Sequence, residues 1–160
     1  MIHGLPPIIA SDAKVLILGT MPSEISLSEV AYYGNKQNKF WQIMSEILET
    51  DPELGYQDRL LVLKKHHIGL WDVIKSCERK GSLDTSISNI LYNDIPALLR
   101  QYKELKTVVF SSANASKLYF KKMEHSSEIT YLTMPSTSGV YARMPYQEKK
   151  AKWSEIKKYI

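Results

Sequence analysis

A chain of 160 residues with one cysteine, 24% charged residues and a formal charge of +4 is long enough to bury a real core without disulfides or a structural metal. One thiol excludes an internal disulfide framework and any four-thiolate zinc or iron–sulfur site built by a single copy. No run of eighteen apolar residues is present, and Met1 to Pro7 lack the basic and apolar regions of a signal peptide, so one soluble, intracellular, cytoplasmic domain over 1–160 with no membrane partner is expected.

Pro6 and Pro7 oppose a helix, so residues 1–12 read as a lead-in that ends on the turn pair Ser11 and Asp12. Val15, Leu16, Ile17 and Leu18 stop at Gly19, the pattern of a buried parallel strand over about 13–18. Ser23 suits the cap of a short helix over 23–30 with Leu27 and Val30 turned inward, and a polar loop follows around 34–38. Phe40, Met44, Ile47 and Leu48 then recur at helical spacing over 39–49. Asp51, Pro52 and Glu53 have the order of a cap, a first-position proline and a first-turn acid, which predicts a helix over about 53–65.

A second short apolar strand lies within 66–73, and the polar stretch 77–88 reads as a surface loop. Pro96 stands in the permissive first turn of a third helix that reaches about Tyr102, and a third strand covers 108–110. Ala115, Leu118, Tyr119 and Met123 mark another helix, 129–134 has the β-branched and aromatic content of a fourth strand, and 135–139 must turn. A closing helix over 146–159 places Trp153, Ile156 and Ile160 on one side, with lysines mostly on the others as a solvated face.

Strands alternating with helices predict an α/β fold, a three-layer α/β/α sandwich around a central four-stranded mostly parallel sheet. In such sheets ligands sit at the carboxyl ends of strands. The irregular polar clusters after Gly19, at Asp72, at 111–114 and at 135–138 each follow a strand directly, so all four are expected on one edge, as the walls of a cleft. The pair His66 and His67 reads as a helix end, because neighbours entering a strand point to opposite faces and cannot easily share an ion. Cys77 has no clear histidine partner in sequence, which argues against a nucleophilic thiol.

Several of these stretches resemble a known family. Val15 to Ser23, Ser26-Leu27 and Tyr32-Tyr33-Gly34-Asn35-Lys36-Gln37-Asn38-Lys39-Phe40-Trp41 are similar to the first motif of the hypoxanthine-DNA glycosylase (family 6-like) branch of the uracil-DNA glycosylase superfamily. Trp71 to Arg79 and Gly81-Ser82-Leu83-Asp84 resemble that branch's next signature, and Met134-Pro135-Ser136-Thr137-Ser138 falls where the superfamily keeps its second motif. The resemblance covers most of the chain in the right order. It implies a monofunctional, metal-independent DNA glycosylase that flips a deaminated base, hypoxanthine or uracil, into a cleft and hydrolyses its bond to the sugar. No cofactor is implied, and the expected partner is DNA containing deaminated bases, bound by a monomer. Asn35 stands where the branch pattern has histidine, Lys36 where it has proline, Gly139-Val140 in place of a Pro-Ala-type continuation, and Met134 where several other branches carry a histidine.

On this resemblance Asn38 is the catalytic candidate. An asparagine takes no proton at neutral pH, but its carbonyl can accept from a water and aim it at the anomeric carbon. A cap for the following helix is the other duty of such a residue, and both can hold. Gly19, Thr20 and Met21, Tyr33 or Phe40 as a stacking face, and Asp72 are the candidates for holding the base. An aromatic at the head of a helix is otherwise core, and an aspartate at a strand end is otherwise a cap or an ion-pair partner. Asp72 can accept from a ring N–H, or donate if a dry pocket keeps it protonated. Pro22, Ser23, Ser112, Pro135, Ser136, Thr137 and Ser138 are candidates for gripping DNA, with Val140, Tyr141 and Arg143 to fill the vacated stack; an ordinary Ser/Thr turn is the alternative. The rival reading is a non-catalytic nucleic-acid or nucleotide-binding module on the same fold. A hydrolase using Ser23 or Ser136 lacks the Gly-x-Ser-x-Gly elbow.

Overall fold

In the computed structural model, which describes residues 1–139 and 143–160, the strands are β1 (Ile2–His3), β2 (Val15–Gly19), β3 (Ile68–Asp72), β4 (Ile74–Glu78), β5 (Ser88–Tyr92), β6 (Thr107–Phe110) and β7 (Thr130–Thr133). The helices are α1 (Glu24–Glu29), α2 (Phe40–Ile47), α3 (Tyr56–Lys65), α4 (Ile95–Gln101), α5 (Ala113–Lys122) and α6 (Tyr146–Trp153). A parallel sheet in the order β3-β2-β6-β7 forms the middle layer. Alternation along β2 and β6 then sorts the two outer layers, because successive side chains leave opposite faces. Val15, Ile17 and Val109 join Phe40, Ile43, Met44 and Leu63 of α2 and α3 and Trp153 of α6. Leu16, Leu18, Val108 and Phe110 meet Ile95 and Leu98 of α4 and Ala115 and Tyr119 of α5. The three-layer α/β fold is thus the one the alternation predicts.

The register sets the site. Gly19 lies opposite Asp72, Leu18 opposite Phe110, and Phe110 opposite Thr133, so all four strands end at one level. The polar segments that follow them share that edge.

The predicted surface loop over 77–88 is corrected by the structure: β4 and β5 pair antiparallel, and β1 adds to β4 to make a second, three-stranded sheet. A strand pair with serines and charges on its outer face carries no apolar alternation and reads as loop. Between the two strands 79–87 remain irregular, and within them Ser82 to Ile87, with a 3-10 turn at Asp84–Ser86, form a strap. Val30 is not inward but 66% exposed; it ends α1 in the left-handed conformation, with φ of 54°. Helix α3 starts at Tyr56 instead of 53, because the Asp51 carboxylate accepts from the Glu53 N–H in a local turn that mimics a cap. The closing helix ends at Trp153 and continues as a 3-10 segment, Ser154–Lys158.

Candidate active site

The edge where the four strands end holds a cleft of about 550 Å³, lined from both of its sides by the polar segments. Its floor is Gly19. A Cβ added there would lie 2.5 Å from Asp72 Oδ1, 3.5 Å from Ser111 Oγ and 3.6 Å from the Tyr33 hydroxyl, so only glycine lets these three polar groups converge on the end of β2. Tyr33 adopts φ of 55°, a conformation that costs a non-glycine residue on the order of 1–2 kcal/mol. Phe40 holds it there: the two rings stack at 3.8 Å with 14° between their planes. Tyr33 faces the cleft, and Phe40 lies behind it, fully buried and outside the lining.

The loop before α2 is built by its own asparagines. Asn35 Oδ1 accepts from the Gln37 N–H at 2.9 Å, and the Asn35 carbonyl accepts from the Asn38 N–H at 2.9 Å. Asn35 thereby supplies local restraint where the family pattern has a proline after its histidine. Asn38 Oδ1 accepts from the Phe40 N–H at 2.9 Å, and Asn38 lines the cleft. The capping role is therefore present. One lone pair of its carbonyl is used, and the amide orientation is fixed with the other available. The 135–139 segment closes the opposite wall: Thr137 is buried and its carbonyl accepts from the Lys39 N–H at 2.9 Å. Behind it, the buried Trp153 donates its indole N–H to the Pro135 carbonyl at 2.9 Å.

Asp72 is the electrostatic centre. It is 5% exposed, and its Oδ2 is buried with no hydrogen-bond partner among the described residues. Burial pushes its carboxyl up to about 7, the Asp84 carboxylate adds to the rise, and Arg79 opposes it. Burial and then Asp72 push the Tyr33 phenol up, with Ser111 opposing. Asp84 is itself raised by burial, against the pull of neighbouring Thr20, Arg79 and Asn114. Arg79 fastens the strap that carries Asp84, donating from Nε to the Gly81 carbonyl at 2.8 Å and from Nη2 to the Pro22 carbonyl at 2.6 Å. The Glu24 N–H adds a third tie, to Ser82 Oγ at 2.9 Å.

Of the residues singled out from sequence, Asn38, Gly19, Thr20, Met21, Tyr33, Asp72, Pro22, Ser23, Ser112, Pro135, Ser136, Thr137 and Ser138 all line this one cleft. Ser23 and Ser112 also cap α1 and α5, accepting from Ser26 N–H and Ala115 N–H, each at 3.1 Å. Phe40 is not among the lining residues. Arg143 is exposed and also outside the lining, while Val140 and Tyr141 lie outside the described residues. Ser111 and Asn114, expected on the cleft edge only as part of the cluster 111–114, and Leu83 and Asp84, quoted only within a motif, were not singled out as site residues from sequence, yet all four line the cleft. The position of 111–114 directly after a strand was the signal for the first two; for the strap the signal was the motif resemblance of Gly81-Ser82-Leu83-Asp84, which gave no position because the stretch read as surface loop. Among the described residues no group of three or more His, Cys, Asp or Glu side chains is placed to hold a metal ion.

Comparison with known proteins gives one consistent result. Residues 6–157 match the model of the Uracil DNA glycosylase superfamily. The chain is 33% identical over 156 residues to the hypoxanthine DNA glycosylase of Methanosarcina barkeri (strain Fusaro / DSM 804), covering 96% of each chain. It is 29% identical over 157 residues to the hypoxanthine DNA glycosylase of Methanosarcina acetivorans, again over 96% of each. A solution NMR structure of a Methanosarcina acetivorans protein, provisionally named a uracil DNA glycosylase, superposes with a TM-score of 0.82 at 28% identity, over 97% of this chain and 95% of that one.

Proposed function

The chain belongs to the uracil DNA glycosylase superfamily and is a DNA glycosylase, and on that premise we propose that it flips a deaminated base, hypoxanthine or uracil, out of DNA and hydrolyses the bond from base to sugar, the opening step of base excision repair. It does so as a cytoplasmic monomer, by direct attack of water, without metal or other cofactor. The observation that carries this reading is that Asn38 and Asp72, brought from opposite ends of 34 residues of chain, line the same cleft. Its volume of about 550 Å³ lies within the usual range for a site enclosing a small organic group.

Breaking an N-glycosidic bond leaves positive charge on the sugar and negative charge on the base. Asn38 serves the sugar side. Its carbonyl, oriented by the Phe40 N–H, accepts from a water with its remaining lone pair and directs the oxygen at C1′. Asp72 serves the base. A neutral carboxyl presents a proton donor and an acceptor to the edge of hypoxanthine or uracil. Tyr33, braced by Phe40, offers the ring on which the base stacks. Ser136, Thr137 and Ser138 on one wall and Ser23 and Ser112 on the other grip the flanking phosphates.

The test is alkaline cleavage of duplexes carrying a single inosine or a single uracil after incubation with the protein. Cleavage at the modified site is expected, with Asn38→Ala at least about 100-fold slower and still binding the duplex. Intact strands from every substrate would end the reading. The bond from Asn38 Oδ1 to the Phe40 N–H favours one rival, a drifted binding module in which Asn38 only caps α2; tight DNA binding with no base released identifies it.

A further inference from the structure

No described residue that lines the cleft carries a cationic side chain. Among its described lining residues there is no His, Lys, Arg or Cys. Arg79, whose charge acts on Asp72 and Asp84, lies outside the described lining, with Nε and Nη2 spent on the Gly81 and Pro22 carbonyls and only the buried Nη1 unpartnered among the described residues. As the bond from base to sugar lengthens, no described lining side chain meets the charge left on the base as a cation. A proton can meet it instead. Four titratable side chains line the cleft, Tyr32, Tyr33, Asp72 and Asp84. Tyr32 gives its hydroxyl proton to the Pro6 carbonyl at 2.7 Å, and burial raises both phenols so that they hold their protons. Asp84 is half-buried on the strap, beside Thr20 and Asn114. Asp72 remains, nearly fully buried, with an Oδ2 that has no partner among the described residues.

We propose that Asp72 is the general acid of the reaction, passing the proton of its carboxyl to a ring nitrogen of the departing hypoxanthine. This deepens the glycosylase reading and rests on it. The electron pair of the C1′–N9 bond moves into the purine as the proton leaves Asp72, so the base departs neutral and the carboxyl becomes a carboxylate. The water held by Asn38 forms its C1′–O bond, and its surplus proton passes through solvent to restore the Asp72 carboxyl. One water is consumed, and one free base and one abasic sugar are formed. Asp72 was chosen from sequence only as a group that reads the base. Here it also transfers a proton, which an isosteric amide cannot do.

The groups facing Asp72 are Arg79, which opposes its protonation, and Asp84, which favours it, with Tyr32 and Tyr33 neutral beside it. The carboxyl is protonated below about 7, so activity that needs the proton is full on the acid side and falls as pH rises through that value.

The experiment is single-turnover release of hypoxanthine from an inosine duplex by the full chain in saturating excess, from about pH 5 to about pH 9. Wild type is expected to lose activity above about pH 7. Asp72→Asn, which keeps a donor and an acceptor, is expected to run about 100-fold slower at low pH and to show no fall at high pH. Asp84→Asn removes a neighbouring negative charge, so the midpoint of the fall moves to lower pH. A rate for Asp72→Asn within about threefold of wild type at low pH overturns the proton donor while leaving the glycosylase reading intact; wild type that releases no base overturns the glycosylase reading itself. Should Asp72→Asn fail to fold, an unmoved midpoint in Asp84→Asn overturns the proposal.

Discussion

Asp72→Asn has a second consequence, on stability, that requires no substrate. In the unfolded chain this carboxyl titrates near its ordinary value of 3.8, and in the fold burial raises it to about 7. The fold thus prefers the protonated acid. The contribution of this group to stability is fully present below the unfolded value and is lost as pH rises through the folded one. The gap of about 3 pH units, at about 1.36 kcal/mol each, makes the total loss about 4 kcal/mol. About 3 kcal/mol of it falls between about pH 5 and about pH 8. Asparagine has the same shape and no charge, so it escapes that loss. The stability of the variant relative to wild type should therefore rise by about 3 kcal/mol across that interval, equivalent to roughly 6–12 °C in melting temperature for a chain of this size. Urea unfolding of both proteins at the two pH values measures it, and titrating groups that do not interact with Asp72 cancel in the difference. A difference that does not change with pH would refute the burial of an ionisable Asp72. The expected pairing, slower base release in a more stable protein, is what a site held against its own stability predicts.

Two further variants test how the cleft is assembled. Gly19→Ala places a Cβ 2.5 Å from Asp72 Oδ1, on paired strands that cannot separate; a loss of about 1–3 kcal/mol in urea unfolding is expected together with slow base release, and a variant that melts and reacts like wild type shows the floor to be looser than described. Trp153→Phe removes the donor to the Pro135 carbonyl and leaves space in the α6 layer; a loss of about 2–4 kcal/mol and weaker duplex binding by fluorescence anisotropy are expected, whereas unchanged binding would show that the 135–139 wall does not depend on this tie.

The middle layer was legible because its strands bury both faces. An unbroken apolar run such as Val15 to Leu18 has few other uses, and the glycine after it marked the edge where the site lies. The place of Asn38 and Asp72 on the cleft was legible through motif resemblance and strand-end position. The second sheet was not. β4 and β5 put Lys75, Glu78, Ser88, Asn89 and Leu91 on their exposed side, and β1 is two residues long, so neither apolar alternation nor length announced strands. Without the sheet the strap had no position, and Asp84, quoted only within a motif, could not be placed on the cleft; Arg79 holds the strap there by tying the nearby Gly81 carbonyl and the distant Pro22 carbonyl. The cap at 51–55 failed for a different reason: an aspartate followed by proline serves a turn as well as a helix start, and only packing decides between them. Asn38 lay between these cases, since its type suits both a cap and the proposed water carrier, and the structure shows the cap.

The distribution of charge gives this cleft a direction. The chain carries a surplus of positive charge, yet the described interior of the cleft holds only carboxyls and neutral groups, while exposed Lys36 and Lys39 flank Asn38 and exposed Lys80 precedes the strap. A phosphate is thus attracted to the rim and meets no cation among the described residues of the interior. The reverse arrangement, with cations at the floor, would draw the backbone inward and leave the base outside. With the backbone held at the lip, an uncharged flat base is the part of a nucleotide that can reach Asp72, and a buried acid kept protonated near neutrality does not repel it. In the proposed mechanism burial of Asp72 therefore performs two tasks at once: it removes a negative charge that would oppose the one developing on the departing base, and it stores the proton that this base takes up.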